Sequence, residues 1–177
     1  MRKKIEEMMS VISDFRQMKD AFFVEDAQSP LTEEQKTTFK GLHYFPEDRQ
    51  YRFYLEIEEF SQKEMVNINT SKGDVRTYQR FGKINFQIDG KDVSLTVYKT
   101  DFGFFLPFVD SLAGEQTYPA GRYLEIEQSE EGKYLVDFNM AYNPSCAYND
   151  RWSCPITPAE NRLPVAIRAG EMIYEAH

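Results

Sequence analysis

An Asp-Gly pair set between two alternating runs constrains this chain more than any other feature. Ile84, Phe86 and Ile88 alternate with polar residues, Asp89-Gly90 follows, and Val93, Leu95 and Val97 alternate again. A type I′ turn needs φ > 0 at both central positions, which Asp-Gly accepts, so the pattern predicts a β-hairpin with one buried face. The same period of two recurs elsewhere. Tyr51, Phe53, Leu55 and Ile57 alternate with Arg52, Tyr54, Glu56 and Glu58, as in a half-buried antiparallel strand. A weaker strand is expected around Val66 and Ile68, a turn at Ser71-Lys72-Gly73-Asp74, and a new strand from Val75 through Phe81. Phe102 to Leu106 reads as a short, fully buried strand. Strands at 123–127 and 134–138 flank Glu131-Gly132, and Val165 with Ile167 marks a last strand before Gly170. Strands at this regular spacing predict a mainly β, α+β fold, either an antiparallel β-sandwich or a partly open β-barrel.

The front of the chain has a different period. Ile5, Met8, Met9, Ile12 and Phe15 recur at steps of three and four, which predicts an amphipathic helix over 4–23. Its apolar stripe suits packing on the protein body or a homodimer contact. Thr32 and Gln35 have capping-box spacing for a short second helix, with Leu31 beside the cap and Gly41 expected as the C′ residue. A single domain over 1–177 is expected, with the helical segment 1–42 lying on a β body at 44–175. A chain of 177 residues with 14 Phe and 11 Tyr has ample material for one core.

Charge narrows the partners. The net charge of −8 and the lack of a basic stripe speak against nucleic acid and against anionic membrane surfaces. No run approaches the ~20 apolar residues of a membrane span. Glu6 and Glu7 interrupt any signal-peptide core, so a cytoplasmic location is expected. His43 is the sole internal histidine, and His177 is expected to fray.

The segment 142–162 has no period and contains Pro144, Pro155 and Pro158, so it reads as a long loop of the kind that often carries function. Asp137, Asn139, Asn143, Glu160 and Asn161 cluster in or beside it. Such side chains set turns by bonding nearby backbone, and they also bind ligands. Hard-cation spacing is absent, so neither a metal nor a cofactor is expected. Cys146 and Cys154 are the only cysteines. Their seven-residue separation is not a zinc spacing, which leaves free thiols, a nucleophile, or a disulfide worth roughly 2.5 kcal/mol by loop entropy. Arg122 opens a strand beside tyrosines. It suits a bidentate clamp on an anion or an ion pair with Asp137 across the Glu131-Gly132 hairpin.

Several runs carry a family resemblance: Arg16-x-x-Lys19-Asp20, Ser29-Pro30-Leu31 and Phe39-x-Gly41-Leu42-x-Tyr44-Phe45-Pro46 in front, then Gly121-Arg122-Tyr123, Asp137-Phe138-Asn139-x-Ala141-Tyr142-Asn143-Pro144-x-Cys146 and Cys154-Pro155-x-x-Pro158-x-Glu160-Asn161 behind. The chain resembles a prokaryotic family known as domain of unknown function 1684. Pro119-Ala120 departs from the glycine expected there. The resemblance implies a domain that stands alone, with some members secreted or lipid-anchored, and it implies one constellation of Arg122, Asp137, Asn139, Asn143, Cys146, Cys154, Glu160 and Asn161. It implies no activity.

Three functions fit these residues. The first is a domain binding a small anionic ligand near the 137–162 loop, with Arg122 as clamp and Asp137, Asn139, Asn143, Glu160 and Asn161 around it. The second is a cofactor-free hydrolase-type enzyme using Asp137 or Glu160 with Arg122. The third is a structural or interaction protein.

Overall fold

The computed structural model describes the backbone of residues 2–175, and the side chains of these except at 2, 4–6 and 8–10. His177 and the side chains of Ile5, Met8 and Met9 therefore lie outside the described residues. Helix α1 spans Arg2–Glu25 and α2 spans Glu33–Thr38. Eight strands follow: β1 Arg52–Leu55, β2 Glu58–Glu59, β3 Met65–Asn69, β4 Val75–Ile88, β5 Lys91–Thr100, β6 Gly103–Phe108, β7 Arg122–Gln128 and β8 Tyr134–Asp137. Every pairing between them is antiparallel. No helix among the described residues is long and apolar enough to cross a membrane.

The expected hairpin is the spine of the sheet. Ile88 faces Lys91 across a two-residue turn, with Asp89 at φ 50° and Gly90 at φ 76°. The runs on either side of Phe81 form one strand, β4, of 14 residues. Phe102, expected to be buried, is instead fully exposed in the β5–β6 turn. The backbone has to reverse there, and its tip points into solvent.

Strand order is β1-β8-β7-β6-β5-β4-β2, with β3 also on β4. Two residues separate β1 from β2, yet they pair with opposite ends of this order. The sheet therefore curls on itself, and the one bent segment 52–59 bridges the seam. Only Glu58 and Glu59 pair across to β4, so the barrel is partly open. Of the two expected architectures, the barrel is the one formed. Gly82 permits the seam. It sits at a register shift in β4, and a Cβ there would lie 2.6 Å from Glu58 O and 2.7 Å from Ile57 Cγ2.

Inward side chains of β4, β5, β6, β7 and β8 fill the barrel, and Phe138 lies among them, 5.2–6.1 Å from the rings of Phe53, Phe86 and Phe108. The segment expected as a last strand plugs this interior without joining the ladder. Leu163, Val165, Ile167 and Ala169 alternate inward, while the backbone runs beside residues 109–111 through Leu163 N to Val109 O (2.7 Å) and Ser111 N to Val165 O (2.9 Å). Alternation was the signal for a strand, and here it records an extended segment with one buried face and no ladder partner.

The capping box of α2 forms as expected, with Thr32 Oγ1 accepting from Gln35 N at 3.1 Å and Gln35 Oε1 accepting from Thr32 N at 2.8 Å. Gly41 is not the C′ residue. The helix stops at Thr38 and Phe39 is extended, while Gly41 turns at φ 111° under Asp20 of α1, whose Oδ1 accepts from Leu42 N. Along α1, Ile12 and Phe23 are buried, whereas Phe15 remains 41% exposed.

Replacing Gly82 with alanine should push the bent segment off β4. We expect a loss of about 2–3 kcal/mol in urea unfolding, with the β4–β5 hairpin retained. A loss under 0.5 kcal/mol would mean that the seam does not depend on this approach.

Candidate functional site

Arg122 is placed by the close turn before β7. Gly121 has φ 98°, and a Cβ on it would meet Phe108 O at 2.5 Å, so the chain enters β7 tight against β6 and aims Arg122 into the barrel. The side chain is 1% exposed. One terminal nitrogen donates to the carbonyls of Ala169 and Glu171, and the other to Ile167 O at 2.9 Å. Asp110 Oδ2 lies 3.7 Å away and also accepts from Ile167 N at 2.8 Å. Burial pushes the guanidinium down to about 10, against the raising effect of Asp110 and Glu171, so it stays charged at neutral pH. The expected pair with Asp137 does not form, because Asp110 and three backbone carbonyls occupy the guanidinium.

Asp137 instead meets Arg52 on the paired strand β1, Nε to Oδ2 at 2.7 Å, and Arg52 also reaches Glu47 at 3.1 Å. Asn139 is joined to it: its N and Nδ2 donate to Asp137 Oδ1, while its amide holds both the N–H and the C=O of Asp48 at 2.9 Å. Asn143 lies elsewhere. Its backbone N–H donates to Glu171 Oε2 at 2.6 Å and its Nδ2 to Met172 O at 2.9 Å. Glu171, 1% exposed, also accepts from Tyr148 OH at 2.7 Å and from the Lys19 ammonium of α1. Asn161 is fully buried and spans β5 and β6, bonding Thr96 N and O and Pro107 O at 2.8–2.9 Å.

Glu160 is the one candidate in this group that reaches solvent, at 35% exposure. Arg80 grips it through Nε at 3.1 Å and a terminal nitrogen at 2.8 Å, and Tyr98 OH donates to it. Burial raises its pKa, but these partners more than offset that and hold it below the ordinary carboxylate value. Asp137 and Glu160 share no bonded partner. A hydrolase needs its acid and base on one substrate, and these two carboxylates are each paired with a different arginine on different strands.

Cys146 is half-buried and Cys154 buried, and both are free. Among the described residues no group of three or more His, Cys, Asp or Glu is arranged to hold a metal.

The structure thus brings Asp137 to Asn139, and brings Arg122 to the backbone carbonyl and Asn143 to the carboxylate of Glu171. It leaves Glu160 and Asn161 apart from all of them. Sequence reasoning missed Asp110, Glu171, Arg52 and Lys19. Their contacts with the candidate residues and with one another span separations from 12 positions for Asp110–Arg122 to 152 for Lys19–Glu171, and no local spacing signals them.

Beside this scaffold lies a groove of about 490 Å³ between α1 and the outer face of β7, β8 and β1. Val11, Ile12, Phe15, Leu135 and Met140 form its apolar lining. Its polar edge holds the Arg52–Asp137 pair, Glu127, and Tyr142 donating to Glu125 at 2.6 Å. Burial, then Glu125, raises the Tyr142 hydroxyl, which stays a donor at physiological pH. A larger hollow of about 580 Å³ lies outside β3–β5, lined mainly by polar strand residues with Met65 and Phe102 at its rim.

The model of the family described as Protein of unknown function (DUF1684) matches residues 37–172. The solution NMR structure of an uncharacterized protein from Haloarcula marismortui is 34% identical, with 97% of each chain covered and a TM-score of 0.72. That coverage carries the likeness through α1 as well as the barrel. No curated protein matches the chain.

Two outcomes follow. Arg122→Met should cost about 3–5 kcal/mol in urea unfolding, since it leaves Asp110 as an unpaired buried charge; a change below 1 kcal/mol would contradict the clasp. Glu160 has a folded pKa below its ordinary value of 4.5, so its pairing stabilises above that pH and is lost as pH falls through the lowered value. The stability gap between wild type and Glu160→Gln should be level above about pH 5 and narrow below it. A gap that widens in acid would reverse the assignment.

Proposed function

We propose that this chain, which belongs to the DUF1684 family, is a small-molecule-binding domain whose site is the groove between α1 and the outer face of β7, β8 and β1. The observation that carries this reading is the state of α1. Val11 and Phe15 stay 65% and 41% exposed on the helix wall of the groove, while Ile12 between them is buried. An apolar ligand seated there would cover both, and full burial of one such side chain is worth about 1.5–3 kcal/mol. A volume of this order suits a small molecule, and a few placed polar groups beside an apolar lining give orientation.

The polarity of the edge selects the ligand. Glu125, Glu127 and Asp137 face a single arginine, Arg52, which is already committed to Asp137 and Glu47. The ligand that fits is neutral or cationic at one end and apolar at the other. An anionic ligand would need Arg122, whose donors bond the chain's own carbonyls. The setting we propose is the cytoplasm, where any disulfide between the two thiols would be transient. A homodimer through α1 would cover the same Val11 and Phe15, so the two modes exclude each other and can be separated.

A neutral solvatochromic dye such as Nile red tests the site. Saturable binding at one site is expected, weakened at least tenfold by Leu135→Glu with the circular dichroism spectrum unchanged. Tenfold corresponds to about 1.4 kcal/mol. Absence of saturable binding, with the chain running at twice its mass, would replace the ligand by a second copy. Equal affinity in Leu135→Glu would place the site elsewhere.

A further inference from the structure

We propose that Cys146 and Cys154 form a redox-active dithiol that exchanges with low-molecular-weight disulfides, Cys146 attacking and Cys154 resolving. The site is separate from the groove and does not depend on it.

Two independent anchors bring the thiols together. Cys146 sits in the 3-10 turn Ser145–Ala147 that follows Pro144. Cys154 is held by the β3–β4 turn: Ser71 N donates to Cys154 O at 2.9 Å, Cys154 N donates to Ser71 Oγ at 3.1 Å, and Thr70 bridges to Pro155. The turn and this anchored segment meet where Cys146 N donates to Cys154 Sγ at 3.4 Å. The hydroxyl of Tyr118 lies 3.7 Å from Cys146 Sγ on another side. The Cys146 N–H thus holds Cys154 sulfur close, and Cys146 sulfur in turn lies beside the Tyr118 hydroxyl.

Exposure separates the roles. Cys146 is half-buried, whereas Cys154 is 8% exposed. The chemistry separates them in the same sense. Hydrogen bonding from Cys154, with help from Tyr118 and Ser71, outweighs burial and lowers the Cys146 thiol to about 6. The same hydrogen bond, together with burial, pushes Cys154 up. At neutral pH Cys146 is mostly thiolate, the form that attacks disulfides.

In the first step Cys146 thiolate attacks one sulfur of the small disulfide. A new S–S bond forms, the old one breaks, and one small thiolate leaves. Cys146 no longer carries the charge that held the proton on Cys154. That proton passes to solvent or to the departing thiolate. Cys154 then attacks Cys146 sulfur and expels the second small thiolate. The dithiol is oxidised by two electrons and the small disulfide is reduced to two thiols. The product closes residues 147–153 into a ring. This stretch carries Tyr148, bonded to Glu171, and Trp152, whose Nε1 donates to Pro30 O at 3.0 Å.

Glutathione disulfide is the probe, with intact mass as the readout. The unsubstituted chain should lose two hydrogens and retain no adduct, while Cys154→Ser should hold one glutathione, on Cys146. Alkylation of the unsubstituted chain by iodoacetamide should modify Cys146 first, with a midpoint near pH 6. This second readout decides the matter even where the serine variant fails to fold. A stable adduct on the unsubstituted chain, no reaction, first modification at Cys154, or a midpoint in the ordinary thiol range near about 8.5 would overturn the proposal.

Discussion

The barrel depends on one buried cation. Taking a guanidinium out of water costs several kcal/mol, and Arg122 bears that cost in the middle of the molecule. It is offset by what the arginine satisfies. The segment 163–171 plugs the barrel with Leu163, Val165, Ile167 and Ala169, but it joins no sheet. Carbonyls at Ile167, Ala169 and Glu171 would then be buried without donors, at about 1–3 kcal/mol each. Arg122 supplies all three, and Asp110 balances its charge while accepting the N–H of Ile167. A plug with irregular backbone is stable here because one side chain replaces part of a missing ladder.

The same logic explains the other polar residues of the back half. Asn161 bridges Thr96 and Pro107 where the direct β5–β6 pairing ends, Asn139 pins both backbone groups of Asp48, and Glu171 gathers Lys19, Tyr148 and the N–H of Asn143. Each joins distant segments whose own backbone cannot close the gap. These contacts consume the groups that a buried ligand would need. On the outer face, Phe15 of α1 stays 41% exposed beside β7, β8 and β1.

How much of this was legible from sequence follows from the range of each interaction. The β4–β5 hairpin and the capping box of Thr32 rest on residues within a few positions of one another, and both could be read directly. Barrel closure could not, because it depends on Gly82 admitting the backbone of Glu58, two positions whose meeting no local pattern encodes. The alternation at 163–169 misled for a physical reason: period two reports a buried extended chain, whether or not it has a ladder partner. The Asp, Asn and Glu residues of the 137–162 region stand out in the sequence by their clustering. Their purpose was hidden because a side chain that caps a backbone and one that grips a ligand are chemically the same. Arg122 was equally ambiguous, since Asp110 lies 12 positions away with no spacing to announce it.

Native-state hydrogen exchange tests the central claim most directly. The account makes segment 163–171 a member of the cooperative core, clasped by Arg122, and not a loop laid over it. The amides of Leu163, Ile167 and Glu171, bonded to Val109 O, Asp110 Oδ2 and Ala141 O, should exchange only through the global opening that frees β4 and β5. Exchange at those three amides through a smaller, local opening, with β4 and β5 still protected, would contradict it.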